Sequence, residues 1–413
     1  MTDADSAVVS GEIKMGADTV IIIESGICVA TTTQPVITNA KFVSTVKNGS
    51  FTCSAKNLVA KTTYYARAYY KTGSRVTYGN EISFTSDTYP IELGNSFFQG
   101  QVLSLGTDLA GNVYAGGRFW HTADASDWSY VARWNGSTWN ELTGMKSDDA
   151  VRSICADPQG NIFASIRRFP TVSEYGMQKW NGTAWSDAGV YNSSNFMITA
   201  SCTDQAGNVY AIGTMKNSAG KYYVASWGTA GYRQLGNFND LPLSICTDKN
   251  GNLYTAGLMN HGNGFGNFYI AKWDGNTWTE TGNFSDVIFS ICTDAAGNLL
   301  VAGAFKNASN LYYIGSWNGT TWTELGNINI PYNYYGDGLQ KMCTGINGAL
   351  YVAGDFKNAK GRYYIAKWDG NSWSELNSFN KPVLAMCADN KGNVYASSNA
   401  TNSKGLWYVA KCN

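Results

Sequence analysis

Histidine, proline and charge are all scarce in this chain. Two histidines among 413 residues leave no Cys/His spacing for a metal site and no Ser-His-Asp set. Charged residues are only 15% and the net charge is zero, which argues against the basic stripe that a nucleic-acid binder needs. The sequence therefore predicts no cofactor, no metal, no nucleic-acid partner and no enzymatic activity.

Long apolar runs are also missing. No stretch of about 18 apolar residues exists, so no segment is predicted to insert into a membrane. The opening residues, MTDADSAVVSG, have neither the basic region nor the apolar core of a signal peptide. We expect either a chain that is not exported by that route or a mature, trimmed chain.

What the chain has instead is glycine and aromatic residues. It contains 45 glycines, 14 tryptophans and 26 tyrosines, and 44% of its residues are hydrophobic. This composition is typical of a folded protein whose short strands are joined by tight turns. It predicts an all-β protein with a large buried core.

A repeat dominates residues 90–413. The anchor "CTD..GN" returns in seven recognisable copies every 44–51 residues, and the anchor "W[DN]G..W..LG" follows six of them. Each unit reads as four short strands, with turns at "DAAGN" and "WNGTTW", where Asp or Asn caps the backbone and Gly takes a positive φ. Four antiparallel strands at this period predict one blade of a β-propeller.

The seventh unit stops before its fourth strand, at "WYVAKCN". The missing piece lies upstream of the first unit, where "PIELGN" (residues 90–95) matches "TELGN" of the other copies. We predict a seven-bladed propeller over residues 89–413, in which Ile91–Gly94 completes the last blade and removes the open sheet edges. The "D..GN.Y..G" part resembles bacterial propeller repeats of the SBBP type, and the tryptophan part resembles kelch repeats.

Residues 1–88 lack the propeller period. The stretch "LVAKTTYYARAYY" matches the L-x-x-x-T-x-Y pattern of a fibronectin type III sandwich, and the segment resembles fibronectin-like modules of Bacteroidetes surface proteins. The resemblance implies that Leu58 plugs the core and that Tyr64 forms a tyrosine corner. Six strands are visible where seven are expected. The first strand is either lost or supplied by a neighbouring chain or segment.

Three repeated residue types have structural explanations. We interpret the first-strand cysteines as small buried residues, since equivalent positions of neighbouring blades lie too far apart for a disulfide. Cys28 and Cys53 lie on different sandwich strands and have the potential to pair. We interpret the repeated aspartates as turn caps. The paired tryptophans either pack between blades or form shallow sugar pockets, and the repeat does not decide between them.

Loops that break the repeat are the candidate binding sites, because function is carried by scaffold loops. Loops between second and third strands, and between fourth and first strands, are expected on one face. Their aromatic, Arg and His side chains suit an interface. The candidate residues are Trp120, His121, Trp128, Arg167, Arg168, His261, Phe265, Tyr332, Tyr334 and Tyr335.

These features predict a non-enzymatic structural or recognition protein whose partners are other protein subunits or a cell-surface protein or glycan. One context is a surface-exposed subunit of a phage or phage-like contractile injection particle, assembled in the cytoplasm and later released, since free thiols suit a reducing cell. The alternative is a secreted or cell-surface adhesin or lectin-like propeller of a Bacteroidetes-type bacterium.

Overall fold

All regular structure in the described residues is β-strand, which confirms the all-β prediction. The computed structural model describes residues 7–13, 21–47, 49–56, 58–59, 62–86, 90–94, 97–119, 131–145, 150–168, 174–192, 197–228, 231–261, 266–327, 341–346, 348–354 and 356–412. Within those ranges, no helix of a length and apolarity suited to crossing a membrane is found. The chain divides into two compact units, Met1–Pro90 and Ile91–Asn413.

The first unit contains two sheets that face each other across an apolar core. Its strands are β1 (Ala7–Glu12), β2 (Glu24–Ala30), β3 (Ala40–Val43), β4 (Ser50–Ala55), β5 (Thr63–Thr72) and β6 (Arg75–Thr85). One sheet has the order β1-β4 and the other the order β3-β2-β5-β6, all antiparallel. Alternate residues of β4 point inward, so that Phe51, Cys53 and Ala55 join Val9 and Ile27 in the core.

The described part of the second unit forms seven four-stranded antiparallel sheets. Sheet I contains β8 (Gln101–Thr107), β9 (Val113–Arg118), β10 (Val131–Trp134) and β11 (Trp139–Glu141); sheet II contains β12 (Ile154–Ala156), β13 (Ile162–Arg168), β14 (Glu174–Trp180) and β15 (Trp185–Asn192); sheet III contains β16 (Ile198–Thr203), β17 (Val209–Gly213), β18 (Tyr222–Gly228) and β19 (Gly231–Phe238); sheet IV contains β20 (Pro242–Thr247), β21 (Leu253–Asn260), β22 (Phe268–Trp273) and β23 (Trp278–Phe284).

The remaining sheets follow the same order. Sheet V contains β24 (Ile288–Thr293), β25 (Leu299–Gly303), β26 (Tyr313–Trp317) and β27 (Trp322–Asn327); sheet VI contains β28 (Lys341–Thr344), β29 (Leu350–Ala353), β30 (Tyr363–Trp368) and β31 (Trp373–Phe379). Sheet VII is the exception. It takes β32 (Val383–Ala388), β33 (Val394–Thr401) and β34 (Trp407–Cys412) from the end of the chain and β7 (Ile91–Glu92) from its beginning.

Burial follows the position of a strand within its sheet. The second strands are buried on both faces, as in Val209–Gly213 and Leu299–Gly303, whereas most residues of the fourth strand β19 are exposed. The first strand of each sheet packs beside the first strands of its two neighbours, and β32 packs beside β8. Such sheets, buried on both faces and stacked around their first strands, are propeller-like blades.

Threonine hydroxyls join neighbouring first strands where these strands end. The hydroxyl of Thr203 donates to the carbonyl of Ala156 at 2.6 Å, that of Thr247 to Thr203 at 2.7 Å, and that of Thr293 to Thr247 at 3.0 Å. Thr344 donates to Thr293 at 2.8 Å, and Thr107 of sheet I donates to Ala388 of sheet VII at 2.9 Å. Each bond crosses from one sheet to the next and fixes their relative height.

Tryptophans join neighbouring sheets at their fourth strands, as the threonines do at the first strands. The indole N–H of Trp139 donates to the carbonyl of Leu93 at 3.0 Å, and that of Trp185 donates to Leu142 at 3.0 Å. The indole lies against the glycine that follows, so a Cβ placed on Gly94 would lie 2.5 Å from Cδ1 of Trp139. The two tryptophans of each pair touch, with ring centroids of Trp134 and Trp139 5.6 Å apart. This packing supports the interpretation of the tryptophans as joints between sheets.

The seam between the start and the end of the second unit has contacts along its length. β7 pairs with β34, with Ile91 opposite Lys411 and Glu92 opposite Ala410. The N–H of Leu93 adds a bond to the carbonyl of Val409 at 2.9 Å. Further inward, the Ser397 hydroxyl donates to the carbonyl of Val102 at 2.9 Å.

We predict that Gly94→Ala weakens this seam more than the same change at Gly144, which follows the corresponding strand of sheet I. Both glycines have positive φ, 76° and 86°, but a Cβ on Gly144 meets nothing within 4 Å. Both variants therefore carry backbone strain, and only Gly94→Ala adds a clash of about 1–3 kcal/mol. Urea unfolding followed by tryptophan fluorescence measures the difference. Equal midpoints for the two variants would contradict the packing of Gly94 against Trp139.

Candidate functional site

The sheets of the second unit present two kinds of connection at opposite ends. Turns between first and second strands, and hairpins between third and fourth strands, lie at one end, which we call the turn face. Connections between second and third strands lie at the other end, which we call the loop face. This division follows from antiparallel pairing in each sheet.

The turn face is built on aspartates that cap their own turns. In sheet III, one Asp204 oxygen accepts the backbone N–H groups of Ala206 and Asn208 at 3.0 and 2.8 Å. The other oxygen accepts the Asn208 amide at 2.7 Å and the Tyr210 hydroxyl at 3.0 Å. The same capping recurs at Asp108, Asp157, Asp248, Asp294 and Asp389. These carboxylates are saturated with donors, as the turn-cap interpretation predicts.

In sheet VII, the titration of Asp389 and Tyr395 agrees with a structural role for this turn. Burial raises the pKa of the Tyr395 hydroxyl, and its bond to Asp389 raises it further. For Asp389, burial alone would raise the pKa, but bonds from Asn393, Lys391 and Tyr395 outweigh it and hold the pKa below its usual value. A carboxylate held ionised by its own turn is a cap and not a proton donor at neutral pH.

The loop face uses the same turn with a different cap. Asn217 begins the loop of sheet III: its N–H bonds to the carbonyl of Lys221 at 2.9 Å, and its side-chain oxygen accepts the N–H groups of Ala219 and Lys221. Asn307, Asn358 and Asn402 repeat this arrangement in sheets V, VI and VII.

The side-chain N–H₂ of each of these asparagines donates to a side chain on the fourth strand of its own sheet. The acceptors are Asn237 at 2.6 Å, Glu324 at 2.9 Å, Glu375 at 2.8 Å and Glu92 at 2.8 Å. An asparagine is required because the cap must accept on one side and donate on the other.

Three of these loops hold a lysine over a tyrosine ring. The Nζ atom lies 4.5 Å from the ring centroid for Lys216 and Tyr222, 4.7 Å for Lys306 and Tyr312, and 4.8 Å for Lys357 and Tyr363. In each pair the lysine and tyrosine also face one another across a backbone bridge. We call residues 216–222, 306–312 and 357–363 the lysine–tyrosine loops. Their lysines are exposed and their tyrosines are half-buried.

Most of the residues proposed from the sequence lie outside the described part of the chain. These are Trp120, His121, Trp128, Phe265, Tyr332, Tyr334 and Tyr335, while Arg168 is described only as a backbone position of β13.

Two of the proposed residues are described. The Arg167 guanidinium lies 5.5 Å from the ring centroid of Tyr175 in sheet II. In sheet IV, His261 stacks on Tyr269 at 4.8 Å and its Nε2 lies 3.2 Å from a Glu280 oxygen. Each is packed against an aromatic ring of its own sheet.

Sequence reasoning missed the lysine–tyrosine loops because it searched for loops that break the repeat. Their signal is visible as "KNSAGKY" at 216, "KNASNLY" at 306 and "KNAKGRY" at 357. A search for loops that share a sequence at equivalent places of the repeat would have found them.

All nine cysteines are free, including the buried Cys28 and Cys53. Burial raises the pKa of the Cys155 and Cys292 thiols to about 12, and that of Cys28 to about 11. Because the thiolate is the reactive form, such thiols are unreactive packing groups. Among the described residues, no cluster of His, Cys, Asp and Glu has the geometry of a metal site.

Comparisons with known proteins give the fold. No protein-family model matches the chain, and no curated protein matches it either. It is similar to the β-propeller domain of the Trilobed protease from Pyrococcus furiosus, described as having an open velcro topology, with 12% identity and a TM-score of 0.50 over 77% of this chain and 95% of that one. It is also similar to a chain of the mitotic checkpoint complex, with 9% identity and a TM-score of 0.52 over 82% and 99% of the two chains. At these identities the likeness shows a β-propeller fold and nothing about activity.

We predict that Asp204→Ala lowers the free energy of unfolding by about 1–3 kcal/mol, since four donors lose their acceptor in a buried turn. Asp204→Asn should destabilise the protein less, because its remaining side-chain oxygen still accepts the backbone N–H groups. Some loss of stability remains, since the new N–H₂ group faces another donor, the Asn208 amide. Urea unfolding ranks the two variants. A midpoint for Asp204→Ala equal to that of the unchanged protein would show that the cap contributes nothing.

The lowered pKa of Asp389 predicts a dependence of stability on pH. Its contribution is fully present above the ordinary Asp value of about 3.9 and is lost as pH falls through the lower folded value. Asp389→Asn is uncharged at every pH, so its stability should fall less steeply from about pH 4 to about pH 2. Unfolding midpoints across this range provide the comparison, and parallel curves would refute the assignment.

Proposed function

We propose that the second unit is one closed seven-bladed propeller whose seam is β7 on β34. The support is the set of seven sheets, the packing of β32 beside β8, and the bonds that cross between sheets VII and I. We also propose that its units belong to the SBBP and kelch-like class, on the strength of the two repeated anchors. The propeller would span residues 89–413 and the first domain residues 1–88.

We propose that the first domain is a fibronectin type III-like module whose first strand is either lost or supplied by a neighbouring chain or segment. Its sheet orders, β1-β4 and β3-β2-β5-β6, are those of such a sandwich with one edge strand absent. The backbone N–H of Val59 donates to the Tyr64 hydroxyl at 2.8 Å, which is the contact expected of a tyrosine corner, and Leu58 packs on the core.

For the whole chain we propose a non-enzymatic recognition function, in which propeller loops contact a protein or a cell surface. The observation that carries it is the set of lysine–tyrosine loops, which place one chemical arrangement on the loop face of sheets III, V and VI. The tyrosine rings pack against the apolar cores, so the fold accounts for them. It does not require a lysine over each ring, so the repetition of the lysine favours a binding role.

The context we propose is a surface-exposed subunit of a phage or phage-like contractile injection particle, assembled in the cytoplasm. The support is indirect: nine free cysteines with packed, unreactive thiols suit assembly in a reducing compartment. The alternative is a secreted or cell-surface adhesin, for which the exposed polar loops are equally suitable.

Native mass measurement and electron microscopy of the protein purified from its source organism test this context. Recovery in large particles with a fixed copy number is the expected result, with the loop face at a subunit contact or at the outer surface. Recovery as a single chain in the medium or on the cell envelope would overturn the particle context and leave the adhesin.

A further inference from the structure

Each lysine–tyrosine loop offers a positioned cation. The ammonium of Lys216, Lys306 or Lys357 lies over a half-buried tyrosine ring, and the side chain is otherwise exposed. A cation–π contact of this kind is worth about 0.5–1 kcal/mol at an exposed site, enough to favour one position of a flexible side chain. The lysine lies over one face of the ring and the ring also packs against an apolar core, so the group offered to a ligand is the ammonium.

Further charges on the loop face are unequal. In sheets III to VII, the described cations in or beside the second-to-third-strand loops are Lys216, Lys221, Lys306, Lys357, Lys360, Arg362 and Lys404, and Lys381 follows the fourth strand of sheet VI. Described carboxylates near these loops are Glu92, Glu280, Glu324 and Glu375, with Asp240 and Asp286 in the connections to the next sheets. Glu92, Glu324 and Glu375 accept loop asparagine amides, and Glu280 lies beside His261. Among the described residues of the lysine–tyrosine loops and their surroundings, cations outnumber carboxylates.

The loops are polar as well as positive. Large exposed apolar side chains among the described residues of the second unit are Ile91, Leu109, Tyr232, Leu258 and Ile346, and none belongs to a lysine–tyrosine loop. Protein interfaces usually have an apolar, aromatic core. Apart from Leu311 and the three tyrosines, these loops consist of Lys, Arg, Asn, Ser, Ala and Gly, which fit a hydrated, charged ligand better than a folded protein surface.

Equivalence of the loops adds a second constraint. Three sites built alike on sheets III, V and VI match a ligand that presents the same group repeatedly, whereas a unique protein surface would meet loops that differ. A polymer with a regularly placed anion satisfies both constraints, because several weak contacts along one chain add up.

We infer that the lysine–tyrosine loops bind an acidic polysaccharide, with one carboxylate or sulfate group at each lysine. This inference rests on the proposed recognition function and gives its ligand a chemical class. It assigns Lys216, Lys306 and Lys357 as the contacting residues, Tyr222, Tyr312 and Tyr363 as their positioning residues, and the Asn caps as the frame of each loop.

Binding of the full chain to dextran sulfate, polygalacturonate, neutral dextran and poly-glutamate tests the inference. We expect saturable binding to at least one acidic polysaccharide that weakens with salt, and none to neutral dextran. Sulfate and uronate sources are distinguished by which of the two polymers binds more tightly.

The decisive variant is Lys216→Gln/Lys306→Gln/Lys357→Gln, matched by Lys249→Gln/Lys367→Gln/Lys391→Gln, which removes the same charge from the turn face. The first should weaken binding about tenfold, as three exposed charge contacts of ordinary strength imply, and the second should leave it within about twofold. Tyr222→Leu/Tyr312→Leu/Tyr363→Leu should give a smaller loss, because the lysines remain but are no longer held. Unfolding midpoints of all variants verify that each is folded.

Three results would overturn the inference: no acidic polysaccharide bound, equal losses for the two lysine variants, or poly-glutamate bound as tightly and with the same variant dependence. The last result would assign the loops to an acidic protein segment. Recovery of the protein in particles without any glycan binding would remove the ligand class and leave the proposed recognition function in place.

Discussion

Each four-stranded sheet depends on its neighbours because both of its faces are apolar. The second strands are buried over most of their length, so a single sheet in water would expose two rows of Val, Ile, Leu and Ala side chains. Stacking covers both faces only if every sheet has a neighbour on each side. The threonine bonds fix the position of each sheet relative to the next at the first strands, and the indole contacts do the same at the fourth strands. The remaining features of the second unit are arranged around these joints.

One turn geometry serves both ends of the sheets, and the polar groups beside each turn decide which residue caps it. On the turn face, the second carboxylate oxygen of an aspartate faces donors, such as the Asn208 amide and the Tyr210 hydroxyl. On the loop face the second side-chain atom faces acceptors such as Glu324, so the cap must be an asparagine. A requirement of hydrogen bonding thus places capping aspartates on the turn face and capping asparagines on the loop face.

The blade-like sheets were predictable from the sequence because their signals are local. Asp-x-x-Gly-Asn and Asn-Gly each specify a turn within five residues, and the intervening alternation specifies a strand. The contacts that join the sheets were harder to predict from the sequence, since the pairing of an indole with a particular glycine depends on residues about 45 positions apart. Sheet III shows the difficulty. Tyr232 stands where other sheets have the second tryptophan of the pair, and it is exposed. In this sheet the first tryptophan, Trp227, is the one that lies against a glycine, Gly189. The lysine–tyrosine loops were not among the candidates because the sequence analysis considered only loops that break the repeat.

Regular loops carry more information here than irregular ones. Arg167 and His261 each lie on an aromatic ring of their own sheet, which explains their residue types by packing within one sheet. The lysine of a lysine–tyrosine loop also lies on a ring, and that tyrosine packs against the core of its sheet, as Trp407 does at the equivalent position of sheet VII. Sheet VII closes the same turn with Thr401 in place of the lysine. The turn therefore does not need the lysine. A feature that the fold repeats without needing it is better explained by a ligand that is itself repetitive.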